Sequence, residues 1–264
     1  MFIYLPNERT GHVNSGACTP RAFIFDCDGT LLDSMDMWLD LGPEFLRRYG
    51  IQVTAKDLAQ FEHLALEEEC EAYHKEWGIG HSGKALFEEM SLMLQERYRK
   101  MIAPRKNVRA FLDAAKAADI PMSIATSTPS ELVRLGLEAN GLECYFSNIT
   151  TTGEAGASKK HADVYDLSLK ILMEHLGEAV PPRSSVWVFE DAVFGLISSG
   201  AAGYKRVGLH DPAGRCGRND VIENSEIFID DFSDELLDRI ISFGMEVNPR
   251  IAPRTQPALA AGHT

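Results

Sequence analysis

Asp26 and Asp28 stand two residues apart where the apolar run Ala22-Phe23-Ile24-Phe25 stops, and Gly29-Thr30 follows them directly. Two carboxylates held this close repel, so a hard divalent cation is their natural compensation. A few carboxylates with retained water suit Mg²⁺. An aspartate neutralised in this way can attack phosphorus and carry the phosphoryl group covalently. A carboxyl group two residues later can protonate the leaving oxygen and then deprotonate the hydrolytic water. Alone, such an Asp-x-Asp pair is equally a turn, a helix cap or a nucleotide-sugar metal site.

Three other short segments bear on the choice. Thr126-Ser127 offers hydroxyl and main-chain donors, Lys159-Lys160 offers positive charge, and Glu190-Asp191 offers two more carboxylates. Each has a plainer use. Thr126-Ser127 could cap a helix starting near Ser130, Glu190-Asp191 one starting at Ala192, and adjacent lysines are ordinarily solvated. What favours chemistry is their order along the chain, because each segment falls at or between the ends of successive apolar runs. Lysine and hydroxyl donors of this kind hold the non-bridging oxygens of a transferring phosphoryl group.

The elements that position them read as strands alternating with helices. Buried-strand runs lie at Ala22–Phe25, Pro121–Ala125 and Ser185–Phe189, with weaker ones at Tyr204–Leu209 and Glu226–Ile229. Helical periodicity occupies Val108–Ala118, Ser130–Asn140, Asp163–Leu176 and Ala192–Ala202. This alternation predicts an α/β fold, a Rossmann-like core with a mostly parallel sheet covered on both faces. Ligands bind such sheets outside the carboxyl ends of the strands. Residues 34–103 break the pattern with helix after helix and no strand, which predicts an inserted α-helical cap. The expected organisation is a lead-in over 1–20, a core over 21–33 and 104–247, the cap over 34–103, and a tail over 248–264.

The chain has 264 residues, 26 Lys and Arg against 39 Asp and Glu, and a net charge of −13. That balance argues against a nucleic acid polymer or an anionic membrane as partner. It does not exclude a small anionic substrate, since a local lysine and a metal can invert the field within one cleft. Cys18, Cys27, Cys70, Cys144 and Cys216 are odd in number, with no C-x-x-C pair, which favours reduced thiols and a cytoplasmic setting. No apolar run approaches the length needed to span a bilayer, and the first residues lack the order of a signal peptide.

Together these segments resemble the haloacid dehalogenase superfamily, in its phosphatase and β-phosphoglucomutase-like branch with a helical cap. Asp26–Thr30 matches D-x-D-G-T in full, and Leu31-Leu32-Asp33-Ser34 continues it. Ile124–Ser127 fits the second motif, Lys159–Tyr165 looks like K-P-x-P-D-x-Y, and Val188–Ala192 with Gly195 fits the fourth. The resemblance covers residues 21–235. It implies Asp26 as nucleophile and Mg²⁺ ligand, and Asp28 as general acid/base with its carbonyl on the metal. It further implies Thr126, Ser127 and Lys159 at the phosphoryl group, Asp191 on the metal, and Glu190 reaching the metal through water. The implied reaction is hydrolysis of a small phosphorylated metabolite under a closing cap.

Two departures sharpen this. Lys160 and Ala162 replace the motif prolines, so the phosphate lysine is a choice between Lys159 and Lys160; alignment with Asp163 and Tyr165 favours Lys159. Trp38 stands where β-phosphoglucomutases typically place a histidine, which ranks a sugar-phosphate mutase below a phosphatase. Asp28-Gly29 ranks a dehalogenase lower still. A phospho-accepting receiver module needs no 70-residue lid, and a non-catalytic relative has no missing motif residue to support it. Nothing in the cap spells a substrate: His63, Lys75, Lys84 and Arg97 are available polar groups, each expected at the surface.

Overall fold

The computed structural model describes residues 20–61 and 66–246. Most of the expected lead-in and the tail from 248, with Cys18, His63 and Leu64, lie outside the described residues.

Four consecutive buried residues, Ala22–Phe25, form β1. On alternate sides of it, Phe23 and Phe25 join one apolar cluster while Ala22 and Ile24 join another. A strand apolar on both faces belongs in the middle of a sheet with helices above and below. The strands β2 (Leu32–Asp33) and β3 (Ala103–Pro104) pair with each other, antiparallel, outside the main sheet. The remaining strands are β4 (Met122–Thr126), β5 (Ile149–Thr151), β6 (Val186–Glu190), β7 (Lys205–Leu209) and β8 (Ile227–Ile229). The main sheet runs β5-β4-β1-β6-β7-β8, and every pairing is parallel. The mostly parallel α/β architecture expected from the alternation is therefore present.

Between β2 and β3 come α1 (Met35–Arg47), α2 (Ala55–Leu58), α3 (Leu66–Trp77) and α4 (Gly83–Lys100). The expectation of no strand through residue 103 is corrected at its last residue. Ala103 lies in β3, opposite Asp33 of β2, so the chain enters and leaves the helical segment through one short ribbon. Arg97 is a second correction: expected at the surface, it is buried, donating to the Met37 carbonyl at 2.9 Å and paired with Glu44. Lys75 and Lys84 are exposed, facing Glu71 and Glu88 one helical turn away.

The other helices are α5 (Val108–Ala117), α6 (Ser130–Ala139), α7 (Thr152–Ala155), α8 (Asp163–Leu176), α9 (Val193–Ala202), α10 (Arg218–Glu223) and α11 (Leu236–Glu246). Helix α8 packs on β1, β4 and β5, and α9 on β6 and β7. On the opposite face, Phe23, Phe25, Phe111, Phe189 and Phe232 form one contiguous aromatic layer, with Phe25 stacked on Phe189 at 4.3 Å. Such contacts stabilise beyond their area burial by about 0.5–1.5 kcal/mol each.

Just past β3, the Arg105 side chain ties the ribbon to the carboxyl ends of β7 and β8. Its guanidinium donates to Asp211 at 3.0 Å and to the main-chain carbonyls of His210 and Asp230 at 3.2 and 2.7 Å. Both Arg105 and Asp211 are buried, so removing the cation strands a carboxylate away from water. Arg105→Met is expected to destabilise the protein by about 3–5 kcal/mol, read from urea unfolding monitored by circular dichroism.

Candidate active site

The strand boundaries matter because they set which residues stand at the sheet rim. Both β4 and β6 run one residue further than the apolar runs suggest, so Thr126 and Glu190 are themselves the last residues of their strands. Asp26 follows β1 directly, and its N–H donates to the Phe189 carbonyl at 2.9 Å, locking it beside β6. The chain then turns sharply, with Leu31 and Leu32 N–H groups both donating to the Cys27 carbonyl at 2.9 Å. Gly29 makes this turn possible. Its φ is +81°, and a Cβ there would sit 2.5 Å from Oδ2 of Asp191.

Asp26, Glu190 and Asp191 each present a carboxylate oxygen within 4.8 Å of the others, and all three are buried. One cation answers them. The Lys159 ammonium donates to Asp26 and, at 2.8 Å, to Glu190. Lys159 is buried and Lys160 is exposed, so the structure brings the first of the two lysines to the rim. Tyr165 donates to the same Glu190 oxygen at 2.9 Å, and the Ser198 hydroxyl fixes the Lys159 carbonyl at 2.6 Å. Thr30 donates to Asp191 at 3.2 Å.

This is a site with surplus negative charge, and its pKa values shift accordingly. Burial, then the charge of Glu190, pushes the Asp26 carboxyl up to about 7 although Lys159 touches it. Burial, then Asp26 and Glu190, raises Asp191 well above the ordinary carboxylate range. For Lys159, burial works against the charged form, but Asp26 and Glu190 outweigh it and raise its pKa. Three buried carboxylates facing one ammonium are an all-oxygen donor set short of positive charge, which fits a hard divalent cation.

Asp28 is held separately. Its Oδ1 accepts from the hydroxyls of Ser34 and Tyr98, each at 2.6 Å, and its Oδ2 accepts from Thr128 at 2.7 Å. The Tyr98 oxygen in turn accepts from Nε1 of Trp38 at 3.1 Å. Ser34 sits at the mouth of the helical segment, Tyr98 on α4 and Thr128 after β4, so three separate parts of the chain converge on one carboxylate. Gly136 of α6 permits the approach, since a Cβ there would meet Leu32 at 2.7 Å and the Tyr98 ring at 3.0 Å. Thr128 and Tyr98 were not among the residues expected to act. Thr128 lies two residues past Thr126 and could have been included; Tyr98 carries no signal before the helices are folded.

The helix-capping alternatives do not apply. Pro129 precedes α6 with no side-chain cap, and Thr126 instead accepts the Thr128 N–H at 3.1 Å. Ala192 precedes α9, and Glu190 reaches its N–H only at 3.4 Å. Ser127 is exposed on the rim. Above these residues, between sheet and helical segment, opens a cavity of about 680 Å³ bordered by Asp26, Asp28, Thr126, Ser127, Lys159, Glu190 and Asp191. The four cysteines among the described residues are free thiols, and no described helix is long and apolar enough to cross a membrane.

Residues 23–209 match the haloacid dehalogenase-like hydrolase family. The chain belongs to that family. It is 29% identical over 201 residues to the YhcW protein of Bacillus subtilis, provisionally named a phosphatase, covering 71% of this chain and 82% of that one. It is 27% identical over 192 residues to a phosphorylated carbohydrates phosphatase of Thermotoga maritima, covering 71% and 83%. Among solved structures, a Thermotoga maritima protein provisionally assigned as a β-phosphoglucomutase shares the fold with a TM-score of 0.66 at 21% identity. That likeness covers 86% of this chain and all of the other. The family enzyme expected from the four motifs is thus what the chain is, a haloacid dehalogenase-like hydrolase.

Gly29→Ala tests how tightly the turn is built. Positive φ and contact with Asp191 together predict a loss of about 1–3 kcal/mol in urea unfolding. The new methyl group must also push the Asp191 carboxylate aside, because a Cβ there would sit 2.5 Å from its Oδ2.

Proposed function

We propose that the protein is a Mg²⁺-dependent phosphatase that hydrolyses a small phosphorylated metabolite through a phosphoaspartyl intermediate on Asp26. The observation that carries this reading is the buried cluster of Asp26, Glu190 and Asp191 around Lys159 at the floor of the cavity. Asp26, Asp191 and the Asp28 main-chain carbonyl would hold the metal directly. Glu190, its oxygens already engaged by Lys159, Tyr165 and the Ala192 N–H, would reach it through water. A bound Mg²⁺ would offset the carboxylates' repulsion and draw charge from the phosphoryl oxygens.

The side chains then divide the work. A carboxylate oxygen of Asp26 attacks phosphorus, the bond from phosphorus to the ester oxygen breaks, and Asp28 gives that oxygen its proton. Water next attacks the phosphoaspartyl group, Asp28 takes the water's proton, and phosphate leaves with Asp26 restored. Thr126, the Ser127 main chain and Lys159 hold the non-bridging oxygens throughout. Ser34, Tyr98 and Thr128 fix the Asp28 carboxylate against the incoming group. The segment 34–103 acts as the cap, excluding water when substrate is seated. The relatives named as phosphatases support the same reaction class. A sugar-phosphate mutase on this scaffold is the second reading, favoured by the fold shared with the Thermotoga protein. Trp38, whose indole points to Tyr98 and through it to Asp28, stands against it.

Asp26→Asn is expected to abolish phosphate release with folding retained, and EDTA to silence the wild-type enzyme until Mg²⁺ is restored. Turnover at the wild-type rate in that variant sinks the mechanism. Conversion of β-glucose 1-phosphate to its 6-phosphate faster than hydrolysis would make the enzyme a mutase. The raised Asp26 and Asp191 carboxyls add a signature of their own. Near pH 7 the metal-free Asp26 carboxyl retains part of its proton, which a cation displaces, so Mg²⁺ addition should release protons into a weakly buffered solution. That release should shrink as pH rises beyond 7 and Asp26 ionises unaided.

A further inference from the structure

Resting on the phosphatase reading, we propose that the substrate is a monophosphate ester whose leaving group is flat, apolar and uncharged, an aromatic alcohol rather than a sugar. The cavity is polar around Asp26, but much of the rest of its lining is apolar. Met35, Trp38, Leu39, Phe87, Leu132 and Phe194 line it, with Phe194 left 45% exposed beside the rim. Three aromatic rings, one each from α1, α4 and α9, border the cavity and offer faces for stacking. The hydroxyls that border the cavity belong to Thr126, Ser127 and Thr128, next to the nucleophile, and Thr128 already donates to Asp28. Trp38 Nε1 is committed to Tyr98. A sugar ring pressed against this lining would lose water from several hydroxyls and meet few groups able to replace it, a penalty an aromatic group escapes.

Charge points the same way. The remaining ionic groups among the described lining residues are Glu67 and Glu69 on α3, and Arg215. Glu67 adds negative charge on the side away from Lys159, which disfavours a second phosphate or carboxylate on the substrate. A mutase that shuttles phosphoryl groups between two hydroxyls of one sugar passes through a bisphosphate, and its distal phosphate needs a cation on the cap side. Lys159 is at the nucleophile, so among the described lining residues Arg215 is the cation that could hold such a phosphate.

Hydrolysis of 2-phenylethyl phosphate, glucose 6-phosphate and glucose 1,6-bisphosphate by the full chain with Mg²⁺ decides the matter. The first two lose primary alkoxides, so the difference between them reports the cavity rather than the leaving group's intrinsic reactivity. We expect kcat/KM for the phenyl ester to exceed that for glucose 6-phosphate at least tenfold, with the bisphosphate slowest. Phe87→Ser and Phe194→Ser should each cut the ratio of phenyl ester to glucose 6-phosphate at least fivefold, a ratio that cancels any loss of folded enzyme. A preference for glucose 6-phosphate, or an unmoved ratio in both variants, overturns the proposal. So does a preference for the bisphosphate that Arg215→Ala removes. Calorimetry with the Asp26→Asn variant separates the two levels of inference. Tighter binding of the phenyl ester there, without release of phosphate from any ester by the wild type, removes the phosphatase reading and keeps the pocket's preference.

Discussion

The structure is organised around an electrostatic strain at the carboxyl ends of two adjacent parallel strands, β1 and β6. Asp26, Glu190 and Asp191 converge within 4.8 Å, shielded from water and opposed by one ammonium. At that spacing each pair of like charges repels by on the order of 3 kcal/mol for an effective dielectric near 20. A sheet held together only at its rim could not sustain this. The strands bearing these residues are central, buried on both faces and clamped by a continuous aromatic layer, so the repulsion cannot relax by spreading the rim. It is relieved instead by raised carboxyl pKa values, by Lys159 and by donors such as Tyr165 and Thr30.

Asp28 shows the opposite design in the adjoining position. It is kept apart from the carboxylate cluster and surrounded by hydroxyl donors, two of which come from the mouth and the last helix of the inserted segment. The same contact that orients the carboxylate also ties the helical segment to the sheet. Movement of α4 away from α6 would therefore release one donor from Asp28 and open the cavity in a single step. Tyr98 is thus shared between α4 and Asp28, and Gly136 supplies the space that lets it reach.

What was legible in the sequence follows from how local each constraint is. Ala22–Phe25 and Ser185–Phe189 read as strands because burial on both faces leaves an almost unbroken apolar run, and the acidic residues that follow them mark the rim. Ile149–Thr151 was not legible: it is a three-residue edge strand with two threonines, and pairing with β4 alone makes it a strand. The ribbon of β2 and β3 joins residues about seventy positions apart, with nothing in Leu32-Asp33 or Ala103-Pro104 to announce it. Arg97 and Tyr98 are hidden for the same reason. A charged residue is solvated by default, and Arg97 is buried only because Glu44 and the Met37 carbonyl lie across the fold to receive it. Residues set by strand ends can be read in order along the chain; those that meet through the cap cannot.

The contrast between the polar and apolar parts of the cavity has a further physical consequence. An apolar lining beside the charged residues lowers the dielectric around Asp26, Lys159 and the phosphoryl group, and every charge interaction there strengthens. A hydroxyl-rich leaving group would carry water in with it and weaken that gain. An apolar one would keep that lining dry, its ring excluding solvent beside the aromatic residues that border the cavity. Under the proposed function, selection of the leaving group and activation of the phosphoryl group would then be one property of the cavity, since the surface in contact with the substrate would also keep water from the charges beneath it.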